Sequence, residues 1–169
     1  MNRHEVTFLV DAPYYKVWRM FHPKTPEGAT VPRTIEHPNG TITILKDGDE
    51  DGAGLVRTAT FPVPKWLLSG GRGESFEVVT EARKNEYARY EAVGKPLWSK
   101  VRGWHTLEQV GESTKLTFVE IYEAKNPILR RLFEQRVHRF ISHDNTNTYE
   151  TVLGYLGTVT RLPSAGQRG

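Results

Sequence analysis

The chain has 169 residues, of which 37% are hydrophobic and 25% charged, a balance that fits one globular domain and excludes a disordered chain. No apolar run approaches the ~20 residues that a membrane-crossing helix needs, and the start Met1-Asn2-Arg3-His4-Glu5 lacks the apolar core of a secretory leader. The net charge of +3 comes from 23 basic residues interspersed with 20 acidic ones, which excludes a dedicated nucleic-acid stripe, and the absence of cysteine excludes disulfides and thiolate metal ligands.

His4 to Val10 reads as a strand from its β-branched and aromatic content. Asp11 is the expected N-cap of a following helix, with Pro13 close to its first turn. That helix carries Val17, Trp18 and Phe21 at helical spacing and ends at His22-Pro23. Residues 22–40, rich in Pro, Gly and Thr, are expected to form a short helix or an irregular connection. Strand-like runs follow at about 41–46, 54–61, 75–83, 86–93, 98–109 and 114–124. Three connections are short and turn-like: Asp47 to Gly52, Lys84-Asn85, and Val110 to Ser113. The alternating connections, Pro62–Glu74, Gly94–Leu97 and Ala124–Asn126, should cluster at one end of an up-and-down sheet.

Asn126 as N-cap and Pro127 at the first position open a last helix running to about Leu156. At about 100° per residue, Phe133, Val137, Phe140, Ile141, Thr151, Val152 and Tyr155 share one face. A curved sheet is the partner large enough to bury it. The expected fold is therefore α+β: a helix-grip architecture with a curved seven-stranded antiparallel sheet wrapped around a long C-terminal helix, and short helices after the first strand. A single domain is expected over 1–162, with a flexible tail over 163–169.

This order of elements resembles the START-related superfamily, which includes birch-pollen-allergen-like proteins and the bacterial polyketide cyclase/dehydrase-like branch. Val6-Thr-Phe-Leu-Val-Asp-Ala-Pro13 followed by Val17-Trp18 is similar to the group's opening strand and first helix. Gly52-Ala-Gly54 resembles its entry into the third strand, and Trp104 to Glu108 followed by Gly111 to Thr114 resembles its sixth-to-seventh strand turn. The likeness covers roughly residues 4–157 and implies a deep cavity between sheet and C-terminal helix. It implies no shared catalytic motif, and the superfamily spans enzymes, carriers and sensors.

Alternation places His105 with Leu107 on one face of the sixth strand, and Leu116, Phe118, Glu120 and Tyr122 on one face of the seventh. With the leucines inward, the polar groups point inward too; Val119 and Ile121 are apolar on the other face, so a one-residue slip would reverse the assignment. On the fifth strand Ala88, Tyr90 and Ala92 are expected to face in. On the helix, Asp144 and Thr148 interrupt the apolar face, and a carboxylate there needs a partner or a function. Tyr90, His105, Phe118, Glu120, Tyr122, Phe140, Asp144 and Thr148 are the expected cavity lining.

Binding or transport of a small hydrophobic molecule, lipid or polyketide-like, is the leading functional expectation. A cyclase or dehydratase-type enzyme is the alternative, with His105, Asp144, Glu120 and Tyr122 as catalytic candidates and Tyr90 beside them. The same groups also fit an internal network that merely holds helix to sheet. Trp66, Leu67, Leu68 and Trp98 are strongly apolar for connections and are expected to gate the cavity or touch lipid transiently. A third class, a partner-binding module, would use surface groups such as Arg131 and Arg139. The six histidines show no ligand spacing for a metal, and Gly70 to Gly73 lacks the Lys-Ser/Thr of a phosphate loop. No cofactor is implied; a cytoplasmic monomer or homodimer is expected.

Overall fold

A computed structural model describes residues 2–37, 40–63, 65, 70–95, 99–124, 142–143 and 145–163. β1 (Asn2–Val10) leads into α1 (Tyr14–Phe21). A meander follows: β2 (Arg33–His37), β3 (Gly40–Lys46), β4 (Val56–Pro62), β5 (Arg72–Arg83), β6 (Tyr87–Lys95), β7 (Ser99–Val110) and β8 (Ser113–Ala124). Residues 142–143 and 145–154 are helical, and β9 (Val159–Leu162) comes last. The strands form one antiparallel sheet in the order β2-β3-β4-β5-β6-β7-β8-β1-β9.

The six runs expected from 41 to 124 all form strands, but among the described residues the sheet has nine strands rather than seven. Both additions are short. β2 arises from residues 22–40, where a helix or irregular connection was expected; its Ile35 pairs with Ile42 of β3 and packs against the core. β9 covers the free edge of β1, with Val159 opposite Val10. Five- and four-residue strands carry too little alternation to stand out by period, and their partners supply the stability. The expected plural helices after β1 reduce to α1, because residues 22–32 contain none.

Asp11 does not cap α1. Pro13 occupies that position with no side-chain cap, and the Asp11 N–H bonds the Thr158 carbonyl at 2.9 Å, tying the end of β1 to the approach to β9. The expected turns hold where left-handed backbone is needed: Asn85 has φ 65° and Gly111 φ 62°.

Register decides the faces. Phe8 sits opposite Leu116, Val6 opposite Phe118, His105 opposite both Ala88 and Phe118, and Tyr90 opposite Gly103. These residues share the face that α1 and the C-terminal helix cover. Val17, Trp18 and Phe21 of α1 and Leu153 of the C-terminal helix close a core with Val6, Phe8, Val10, Leu107, Leu116 and Phe118. The core lies toward the end of the sheet where β1 finishes. At the opposite end, Pro62 pairs with Arg72, Glu74 with Lys95 and Ser99 with Ala124. The three alternating connections therefore start from one end of the sheet, as the sequence predicts.

Leu153 is fully buried and fixes the helix to the sheet. Leu153→Ala should destabilise the protein by about 2–5 kcal/mol in urea unfolding. A loss below about 1 kcal/mol would show that the helix is anchored elsewhere.

Candidate functional site

Tyr90, His105, Phe118, Glu120 and Tyr122 are all buried and lie on one face. The inward register expected for β6, β7 and β8 is thus the one the chain adopts. Gly103 makes room for it: a Cβ there would lie 2.3 Å from the Tyr90 ring, so only glycine lets the phenol lie flat across β7 toward Glu120.

Glu120 is the centre of this cluster. Tyr90 donates to its Oε1 at 2.5 Å, and Tyr149 donates to the same oxygen at 3.2 Å. Tyr122 donates to Oε2, which also accepts from Asn145 Nδ2 at 3.0 Å. Asn145 further donates to the Tyr122 hydroxyl at 2.8 Å. A carboxylate offers about four acceptor sites, and all are occupied. Burial, then the charge of Glu120, holds the phenols of Tyr90, Tyr122 and Tyr149 well above their ordinary range, so all three stay protonated donors.

Tyr149 and Asn145 were not expected here. On the helix Thr146 and Leu153 are buried and the half-buried Asn145 and Tyr149 share their side, a stripe rotated away from the face that hydropathy selected. Thr151 is exposed, Tyr155 is 66% exposed, and Thr148 is half-buried beside the stripe. Hydropathy points away from Asn145 and Tyr149 because their burial is driven by Glu120, not by apolar area. Phe140 and Asp144, the gate residues Trp66, Leu67, Leu68 and Trp98, and helix residues Phe133, Val137 and Ile141 lie outside the described residues.

A second polar contact joins α1 to β7. His22, at the end of α1, stacks on Trp18 with ring centroids 4.0 Å apart, and its Nε2 lies 3.1 Å from His105 Nε2. One ring donates and the other accepts, leaving both buried Nδ1 atoms without a partner among the described residues. Beside them Arg57 donates to Glu77 through Nε at 3.0 Å and to the Phe21 carbonyl at 2.9 Å. His105 therefore faces His22, not Glu120. Among the described residues no three His, Asp or Glu side chains converge as a metal site.

Toward the end where β6 meets β7, the inner face changes character. Ala59 pairs with Ser75, Ser75 with Gly94, and Ala92 with Val101, all in register with the inward Arg57, Glu77 and Tyr90. Small side chains replace the aromatic ones of the core. An open groove of about 510 Å³ is lined by Thr58, Thr60, Glu74, Phe76, Val93 and Lys95, which alternate with the inward residues, and also by Ala59 and Ser75.

Solved structures share the fold over nearly the whole chain. A START superfamily protein from Mycobacterium smegmatis superposes with a TM-score of 0.64 at 15% identity, covering 91% of this chain and 96% of that one. Ara h 8.0201 gives 0.62 at 16% identity, over 92% and 97%. Protein CV1439 from Chromobacterium violaceum gives 0.58 at 13%, over 92% and 98%. This is the START-related fold. No protein-family model and no curated protein matches the sequence. At such identities the likeness shows the START-related architecture alone, and function must be argued from this chain's residues.

Within that fold the histidine pair makes stability depend on pH. Burial, then the Arg57 charge, lowers the His22 pKa to about 3, and burial, then His22 and Arg57, holds His105 well below its usual value. The unfolded chain binds protons below about pH 6.5 that the folded chain refuses, so the pair's contribution is complete above that pH and is lost as pH falls. Between about pH 6.5 and 5, stability should decline with a slope approaching two protons, roughly 2.7 kcal/mol per pH unit. Urea unfolding of His22→Phe/His105→Phe should show that limb flattened; an unchanged slope would assign it to other groups.

Proposed function

We propose that the protein binds a small, largely apolar molecule between the sheet and the C-terminal helix, toward the end where β6 joins β7. The observation that carries this reading is the run of small inward residues, Ala59, Ser75, Ala92 and Gly94, where the rest of the same face carries Tyr90, His105, Phe118 and Leu116. Ala59, Ser75 and Val101 are only half-buried although their register points them under the helix side of the sheet. Pockets for lipophilic molecules combine such apolar lining with a few fixed polar groups, here the Glu120 cluster. The START-related fold is consistent with this use.

Binding is better supported than turnover by the same residues. A general base needs a free lone pair in reach of its substrate. All acceptor sites of Glu120 are filled, and the one Nδ1 lone pair that the His22–His105 contact leaves open is buried. Lipid or polyketide-like compounds are the proposed ligand class, and Trp66, Leu67, Leu68 and Trp98, on the connections leaving that end of the sheet, are the proposed gate.

Filling the space tests the proposal. Ala59→Trp and Ser75→Trp should each weaken binding of an uncharged apolar dye such as Nile red at least tenfold, roughly 1.4 kcal/mol. Circular dichroism should show the melting temperature nearly unchanged, because neither residue belongs to the packed core. Undiminished dye binding in both variants would place the ligand elsewhere.

A further inference from the structure

Arg57 of β4 stands opposite Glu77 of β5, and their row across the inner face continues through Ala92 to Val101. The next row, away from the core, holds Ala59, Ser75 and Gly94. The ion pair therefore borders the region of small side chains. A guanidinium carries five N–H donors. Arg57 spends three: Nε and Nη2 donate to Oε1 of Glu77, the former at 3.0 Å, and Nη1 donates to the Phe21 carbonyl at 2.9 Å. One N–H on each terminal nitrogen is left, and neither has a partner among the described residues. The Arg57 and Glu77 side chains keep 16% and 15% of their surface exposed although both project from the inner face. A rigid, planar donor group pinned by Glu77 and by the end of α1 cannot turn its spare hydrogens elsewhere. Donors of a charged group are destabilising when left unpaired, so an oxygen from outside the chain has to complete them.

From these spare donors, and resting on the pocket proposed above, we propose that Arg57 determines ligand specificity: its remaining N–H groups hold an uncharged carbonyl oxygen of the ligand, whose apolar part lies over Ala59, Ser75 and Gly94. Glu77 already balances the Arg57 charge, so the pair offers hydrogen bonds without net charge, which suits a neutral acceptor. Nη1 binds one neutral carbonyl in the protein itself, that of Phe21. Both existing contacts fix the guanidinium before a ligand arrives, and little ordering is left to oppose binding.

The test compares acetylnaphthalene with isopropenylnaphthalene, substituted at the same ring carbon, as competitors of Nile red. The two probes have nearly the same shape and differ in carrying C=O or C=CH2. Their affinities are measured on the full chain and on the double variant Arg57→Met/Glu77→Met, because apolar residues of similar volume often replace a buried ion pair without loss of stability. The ratio of ketone to alkene affinity should fall at least about tenfold in the double variant. A change of less than about threefold overturns the role of Arg57 and leaves the pocket standing. If Nile red does not bind the unaltered protein, or neither probe displaces it, the pocket itself fails and this inference with it. A second readout follows the bond directly. The infrared carbonyl stretch of bound acetylnaphthalene, isotope-labelled at the carbonyl carbon, should lie lower in the unaltered protein than in the double variant, and equal frequencies count against the inference. Should the double variant not fold, the unaltered protein decides alone: a stretch below that of the ketone in hexane supports the bond, and a stretch at the hexane frequency overturns it.

Discussion

A single carboxylate ties together the parts of this fold that do not touch through their backbones. Glu120 projects from β8 and accepts hydrogen bonds from β6 through Tyr90 and from the C-terminal helix through Tyr149 and Asn145. Placing a carboxylate in a protein interior costs several kcal/mol, and the cost is offset only when its oxygens are fully engaged. The requirement sets geometry around it. Gly103 removes a side chain so that Tyr90 can reach across β7, and the helix is rotated so that Asn145 and Tyr149 face the sheet. Phe118 then stacks on Tyr149 at 4.2 Å with the rings nearly parallel, joining the polar cluster to the apolar core. Interactions that satisfy a buried charge are directional, whereas apolar burial is not. The position of the helix about its own axis is therefore a product of hydrogen bonding more than of hydrophobicity.

That distinction explains which parts of the molecule were legible in the sequence. Strands longer than about six residues carry enough alternation to reveal both their existence and their faces. Leu107, Leu116 and Phe118 fixed the inward side of β7 and β8, and His105, Glu120 and Tyr122 followed by period alone. The same logic fails on the helix, where Thr151 and Tyr155 joined the expected face and are exposed. A stripe whose members include Asn145 and Thr146 cannot be found by hydropathy, although a glutamate on the inward face of β8, with Lys115 of the same strand on the other face, was a signal that donors had to come from elsewhere. β2 and β9 were missed because their stability comes from the neighbours they pair with, which no local window contains. Asp11 looked like a cap by type, but its backbone N–H is used in a contact 147 residues away in sequence, from Asp11 to Thr158. His22 carried no signal at all. Its meaning depends on His105 being across from it.

The two polar clusters differ in how completely they are satisfied. Around Glu120 every acceptor site is filled. At the His22–His105 contact one bond is made and both Nδ1 atoms remain without partners among the described residues. Unpaired buried groups are destabilising relative to an apolar pair of similar shape. The contact nevertheless sits where α1 leaves the sheet, packed between Trp18, Phe21 and Phe118. It makes the attachment of α1 dependent on both imidazoles staying neutral, and so the least robust seam in the described core is an electrostatic one.

The glycine at 103 has a consequence for how such a protein diversifies. Tyr90 lies where any side chain at that position would stand, so residue 103 and the ring above it can only change together. Ala59 and Ser75 share no such constraint, as neither takes part in the Glu120 cluster. Substitutions at the unconstrained pair alter volume while the wall of tyrosines stays in place. Selection on this scaffold has separate handles for the room it offers and for the framework that holds it up.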